Sequence, residues 1–168
     1  MPIEIEPLSS RLELLPLVAQ WFESEWPAYY GEGGGGSAKA DALSYARPAG
    51  LPRGFVAISA GRPCGFAALK SEPFPSHPHL TPWAGAAYVS PPLRRNGIGR
   101  ALLSAVEAEA VAQGHTHAYC ATGTSASLLE RAGWRLLEQV EHEGNNVGIY
   151  EKAVLQVVRR GRPTSSVP

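Results

Sequence analysis

The residues best placed to do chemistry lie in one stretch, Tyr88-Val89-Ser90-Pro91-Pro92-Leu93-Arg94-Arg95-Asn96-Gly97-Ile98-Gly99-Arg100. Ala84 to Val89 reads as a short strand that Pro91-Pro92 must end, because proline supplies no ladder N–H and disfavours regular structure in the residue before it. After Gly97 the residues Ile98, Ala101, Leu102, Ala105, Ala108 and Ala112 recur at three and four, the spacing of one helical face, and Gly114 supplies the stop. A helix opening near Gly97 turns its unpaired N–H groups and the positive end of its dipole toward the turn. Arg94 and Arg95 add charge, and Gly97 and Gly99 have no side chain to hold a ligand's oxygens off the backbone. Residues 95–100 therefore form a candidate anion site, suited to a phosphate or pyrophosphate, although glycines also open helices for structural reasons alone. The second G-x-x-G half of a dinucleotide fingerprint is missing, and no Gly-Lys-Ser/Thr marks a P-loop.

Other candidate groups are scattered. His77-x-His79 and His115-x-His117 have ligand character, but no carboxylate or thiolate cluster accompanies them and no metal is expected. Cys64 and Cys120 are too few for a disulfide framework, fit a reducing cytoplasm, and read as small buried apolar residues. Gly31 to Ser37 is a flexible loop with no basic residue and no strand feeding it, so it is not read as a phosphate cradle.

The elements that must position the anion site follow from pattern. The chain has 168 residues, 44% of them hydrophobic, enough for one domain with a sizeable core. Fifteen basic residues balance fifteen acidic ones, which gives no support for nucleic-acid or membrane partners. With no apolar run near 18 residues, the chain is expected to be soluble and cytoplasmic. Pro2 to Glu6 alternates as a first strand. Ser9-Ser10 offers caps for a helical stretch from Arg11 to about Glu25, which Pro16 is expected to divide, with Leu14, Leu17, Val18, Trp21 and Phe22 as its apolar stripe. Trp21 reads as core, while Trp26 and Tyr29, beside a break, can serve either as core or as a substrate wall. Ser37 caps a helix through Ala46. Phe55–Ala60 and Cys64–Lys70 form a hairpin around Gly61-Arg62-Pro63. Glu72 to His79 is loop. Beyond Gly114 come a strand from Thr116 to Ala121, a short helix from Ser125 to Ala132, and strands Trp134–Val140 and Val147–Val154 joined through Glu143-Gly144-Asn145-Asn146. The order is β-αα-β-β-β-α-β-α-β-β, an α/β mixed sheet with helices on its faces, in one domain over residues 1–155 with a mobile polar tail over 156–168.

Arg-x-x-Gly-x-Gly, entered from a strand ending Tyr-Val-x-Pro and followed by an Ala/Leu helix, resembles the acetyl-coenzyme A signature of the GNAT N-acetyltransferases. Arg94, Gly97 and Gly99 fill the motif positions and Leu102-Leu103 follow as its apolar pair. Ser127 to Trp134 resembles a second motif, with Leu129 where the family usually has a tyrosine, commonly the general acid that protonates the departing coenzyme A thiolate. The resemblance implies a GNAT fold with a central, mostly antiparallel sheet, and acetyl-coenzyme A as cosubstrate. It implies a coenzyme A site over Tyr88, Val89, Arg94, Arg95, Asn96, Gly97, Ile98, Gly99 and Arg100, and a splay between the strand ending at Val89 and the strand from Thr116. In that geometry the Val89 N–H stabilises negative charge on the thioester carbonyl oxygen. The family often places a glutamate on the central strand as general base, yet Trp83-Ala84-Gly85-Ala86-Ala87-Tyr88 contains none, so His77 and His79 are the candidate substitutes, read otherwise as exposed loop histidines. Tyr88, Tyr119 and Tyr150 are candidates for the missing acid, with core packing as their other reading. In one branch of the family a Pro-Trp step introduces the acetyl-carrying strand, which adds Trp83 to Trp26 and Tyr29 as candidate substrate contacts.

The resulting expectation is an N-acetyltransferase moving an acetyl group to the primary amine of a small molecule, working as a monomer or homodimer. Two alternatives stand beside it: a non-catalytic acyl-coenzyme A binder of the same fold, and an acetyltransferase of protein N-termini or lysines.

Overall fold

The computed structural model describes residues 2–155, so the polar tail expected over 156–168 lies outside the described residues. Within them, seven strands form one sheet in the order β1-β2-β3-β4-β5-β7-β6. The strands are β1 (Ile3–Pro7), β2 (Arg53–Ser59), β3 (Arg62–Lys70), β4 (Trp83–Val89), β5 (His117–Thr122), β6 (Arg135–His142) and β7 (Asn145–Ala153). The helices α1 (Leu15–Glu25), α2 (Pro27–Tyr30) and α3 (Ala38–Ser44) precede β2, α4 (Ile98–Ala112) joins β4 to β5, and α5 (Ala126–Arg131) joins β5 to β6. This is the expected element order. Every pairing is antiparallel except β4 with β5.

Strands β2 and β3 are buried on both faces, which is why they read as continuous apolar runs. Alternate residues of β2 go to opposite cores: Phe55 and Ala57 meet α4 and α5, while Val56 and Ile58 meet α1 and α3. In α4 the inward residues are Ile98, Leu102, Leu103, Val106 and Ala110. Ala108 and Ala112, expected on the apolar stripe, are exposed, because the bulkier residues take the core face and alanine serves there as a helix former.

Local punctuation differs from expectation in three places. Pro16 does not divide the first helix. It lies in the first turn of α1, where a missing N–H costs nothing, and the residues before it form two short 3₁₀ turns. Neither Ser9 nor Ser10 caps α1, and the Ser10 hydroxyl donates to the Pro7 carbonyl at 2.9 Å. The β2–β3 turn is the pair Ala60-Gly61, both at positive φ (51° and 75°), which suits a two-residue hairpin. Pro63 instead enters β3 opposite Ile58, next to a shift in register that accommodates its missing donor. Ser37 caps α3 as expected, accepting from the Ala40 N–H at 3.2 Å.

Gly65 is where β3 is pressed closest to its neighbours: a Cβ there would stand 2.9 Å from the Tyr88 carbonyl oxygen and 3.1 Å from both Ile98 and Leu102. Gly65→Ala is therefore expected to lower stability by about 1–3 kcal/mol, seen as a reduced urea midpoint with an unchanged slope. An unchanged midpoint would mean that α4 can move off the sheet without cost.

Candidate active site

The site arises where β4 stops pairing with β5. Their parallel ladder is made at Trp83 with Tyr119 and Ala84 with Cys120, and ends there. On the other edge of β4, Gly85 pairs with Ala68 but Tyr88 pairs with Phe66, so three steps on β4 match two on β3. The extra residue is a β-bulge, and Ala86 adopts a φ of 51° within it. One inserted residue reverses the facing of everything after it. Ala84 belongs to the core under α4, whereas Tyr88 packs under α1, stacked on Trp21 at 5.1 Å. Beyond the bulge β4 and β5 diverge, and a cleft of about 1190 Å³ opens between β4 on one side and residues 120–131 on the other.

Backbone groups along this cleft are free to act. The Ser90 N–H donates to the Cys64 carbonyl on β3 at 2.9 Å. Successive N–H groups of a strand point to opposite edges, so the Val89 N–H points away from β3 and into the cleft.

At the far end the chain turns through Pro91–Leu93, Arg95 (φ 67°) and Gly97 (φ 83°) into α4. No side chain caps that helix, which leaves its first N–H groups for a ligand. A Cβ at Gly97 would meet nothing within 4 Å, and one at Gly99 would meet only Leu128 Cδ2 at 3.4 Å. Arg94 is not a free cation. Its Nε donates to the Val89 carbonyl at 3.0 Å and a terminal nitrogen pairs with Glu25 at 3.4 Å, tying the turn to the strand and to α1. Asn96 closes the turn by donating to the carbonyls of Leu93 (2.9 Å) and Arg94 (3.2 Å). Arg95, Arg100 and, from α5, Arg131 also border the cleft, against the single carboxylate of Glu25. Between its two ends the wall is apolar, with Ile98, Leu102, Val106 and Leu129.

A second cavity, of about 720 Å³, lies under α2 and α3. Its walls are aromatic, from Trp26, Tyr29, Tyr30, Tyr45, Phe74 and Trp83, and its charged or titratable groups are Asp41, Lys70, Glu72, His142 and Glu143. The two cavities share Trp26, Ala84, Gly85, Ala86 and Ala121, which is the point where β4 leaves β5.

Tyr88, Val89, Arg94, Arg95, Gly97, Ile98, Gly99 and Arg100 all border the large cleft, and Asn96 shapes its turn. Trp26, Tyr29 and Trp83 border the second cavity. His77 and His79 border neither. Rather than an exposed loop residue, His77 is buried, its Nδ1 2.7 Å from the Ser76 hydroxyl and its Nε2 3.3 Å from Glu138. Tyr119 packs on Trp83 and Tyr150 lies in the α4 core; burial raises both phenols above the ordinary tyrosine value, and neither borders a cavity. Leu129 is 2% exposed, a core residue at the cleft wall. Cys120 also borders the cleft, and burial pushes its thiol up to about 12. Sequence reasoning missed Asp41, Tyr45, Lys70, His142 and Glu143, which reach one cavity from α3 and its end, from the end of β3 and from the β6–β7 turn, with no shared motif. It also missed the cleft wall from Thr122 to Ser125.

A model of the acetyltransferase (GNAT) family matches residues 15–134, reaching back well before the motif at Arg94. Among solved structures, an aminoglycoside 6'-N-acetyltransferase complexed with coenzyme A shares 15% identity over 93% of this chain and 98% of its own, with a TM-score of 0.73. The aminoglycoside 6'-N-acetyltransferase from Enterococcus faecium shares 14% over 93% and 98%, with a TM-score of 0.70. YncA from Salmonella typhimurium, with its cofactor acetyl-CoA, shares 15% over 95% and 98%, with a TM-score of 0.71. At such identities the likeness is one of fold. No curated protein matches by sequence. The family match spans more than half of the chain and contains the splayed strand, the glycine turn and α4, and on that ground the chain belongs to the acetyltransferase (GNAT) family.

Proposed function

We propose that this acetyltransferase acetylates the primary amine of a small molecule, using acetyl-coenzyme A without a covalent acyl-enzyme. The observation that carries the reading is the junction of two unlike cavities at the splay, with the Val89 N–H on the cleft side. The large cleft fits coenzyme A in chemistry: an uncapped helix N-terminus flanked by arginines at one end, apolar walls between, and a free backbone donor at the other. Bound acetyl-coenzyme A would supply an acetyl group already activated as a thioester.

The first-turn N–H groups of α4 would hold the pyrophosphate, Arg95 and Arg100 would add charge, and Arg94 would keep the turn in place. The Val89 N–H would donate to the carbonyl oxygen and stabilise the charge that grows there. An acceptor entering through the second cavity must lose a proton to be nucleophilic. His142 and Glu143, 3.8 Å apart in that cavity, are better situated to pass it on than His77 or His79. Cys120 would stay protonated at neutral pH, its thiol raised by burial, and would make a poor acyl carrier; this favours direct attack by the amine. Leu129 cannot protonate the departing thiolate. A thiol of ordinary pKa, about 8.5, is a fair leaving group unaided, so its absence does not stop the reaction. The same residue, together with the lack of a glutamate on β4, favours the non-catalytic binder.

Gly99→Asp puts a carboxylate beside the first-turn N–H groups at a position with room for a Cβ. The variant is expected to melt near the parent without ligand, yet to lose the stabilisation of roughly 2.7 kcal/mol that a ligand at about 100 times its Kd confers. Equal coenzyme A shifts in parent and variant would place the pyrophosphate elsewhere.

An amine panel with acetyl-coenzyme A, read by free thiol, is expected to show saturable turnover. Cys120→Ala, Tyr119→Phe and Tyr150→Phe should stay within about tenfold of the parent, and Tyr88→Phe should too if the thiolate leaves unaided. A fall of about a hundredfold in Tyr88→Phe, with loss of the high-pH limb, would instead identify a general acid at the cleft. Tight coenzyme A binding without turnover of any amine would favour the binder.

A further inference from the structure

Lys70 ends β3 opposite Trp83, and its stem lies over the point of transfer: its Cδ is 3.2 Å from where a Cβ would stand on Gly85, a residue shared by both cavities. The side chain is partly buried, yet it makes no ion pair and no hydrogen bond among the described residues. The other charges of the acceptor cavity are differently disposed. Asp41 already accepts from the Tyr30 hydroxyl at 2.7 Å, and Glu72 and Glu143 are exposed. Lys70, whose stem packs on Gly85 at the junction of the two cavities, is thus a cation without a partner there among the described residues.

An ammonium at this position repels a simple amine that still carries its proton. That cost falls if the acceptor brings an anion next to its nitrogen. Building on the N-acetyltransfer reading above, we propose that Lys70 determines specificity by binding a carboxylate of the acceptor, which is therefore an amino acid with a large apolar or aromatic side chain. The carboxylate pairs with the Lys70 ammonium. The side chain lies against Trp26, Phe74 and Trp83, with the α-nitrogen at Gly85. In the step itself the neutral nitrogen bonds to the acetyl carbon, the carbon–sulfur bond breaks, and the sulfur leaves as a thiolate. The proton released from nitrogen passes to solvent, and the thiolate can take one up from it.

Matched acceptors test this: phenylalanine against phenethylamine and tryptophan against tryptamine, with acetyl-coenzyme A, in the parent, Lys70→Met and Lys70→Arg. The parent is expected to prefer the acids by about tenfold or more in kcat/KM. Lys70→Met should erase that preference, mainly through a higher KM for the acids, and Lys70→Arg should restore part of it. A melting shift with coenzyme A checks that each variant keeps its cofactor cleft. If the parent prefers the decarboxylated amines, or Lys70→Met keeps the preference for acids, the proposal is overturned while N-acetyltransfer stands. If none of the four is acetylated but other amines are, the proposal likewise falls alone; if no amine is acetylated, both readings fall. Acetylation of Lys70 itself, seen by intact mass after incubation with acetyl-coenzyme A alone, would also overturn it, because the side chain would then be the acceptor.

Discussion

The fold turns on a strand that is prevented from completing its ladder. β4 lies mid-sheet, where unpaired backbone groups are ordinarily costly, and past Ala84 it gives up its pairing with β5. A non-glycine residue at positive φ costs about 1–2 kcal/mol, and Ala86 bears that cost at the bulge. What compensates is packing after the bulge. The reversed facing sends Tyr88 onto Trp21 under α1, while β3 keeps its register with Tyr88 and Val89. The same inserted residue thereby opens the cleft and sends Tyr88 to the α1 face.

The rest of the molecule holds the two walls of the opening apart. Arg94 anchors the glycine turn to the carbonyl of Val89, a backbone contact that means more than its ion pair with Glu25; that pair is solvent-exposed and worth about 0–1 kcal/mol at most. Glu107 accepts from the Trp134 indole at 2.8 Å and from Lys152 at 2.9 Å, joining α4 to the start of β6 and to β7. Glu109 pairs with Arg53 at 2.8 Å and ties the same helix to β2. Burial alone would raise the Glu109 carboxyl, but its hydrogen bonds with Gln113 and Arg53 outweigh that and hold it below the usual glutamate value. Its contribution to stability is therefore complete above the unfolded glutamate pKa and is lost as pH falls through the lowered folded one. The helix whose uncapped N-terminus borders the large cleft is thus fastened along its length to the sheet.

The two cavities differ in how much of them can be read from residue order. The large cleft is nearly all local on one side: strand, proline stop, basic turn, paired glycines and helix lie within one continuous stretch, so its chemistry is visible in the chain itself. The second cavity has no such continuity. Trp26 and Tyr29 stand out in the sequence because they flank a break, but Lys70, His142 and Glu143 come from a strand end and a hairpin, and they meet only because β3 and the β6–β7 turn reach the same end of the sheet. His77 and His79 are suitable bases by residue type alone, which says nothing about direction. His77 is folded against Ser76 and Glu138, and neither ring borders either of the two cavities.

By itself the sequence determined the element order and the glycine-containing, uncapped start of α4, because each depends on periodicity and on the stops imposed by proline and glycine. The insertion of β7 between β5 and β6, the bulge at Ala86, the outward turn of the Val89 N–H and the gathering of charged groups beneath α2 and α3 were decided only by tertiary structure. The physical reason is that strand pairing and side-chain convergence join residues distant in the chain, and a single residue's shift in register reverses which side of the sheet a whole segment addresses.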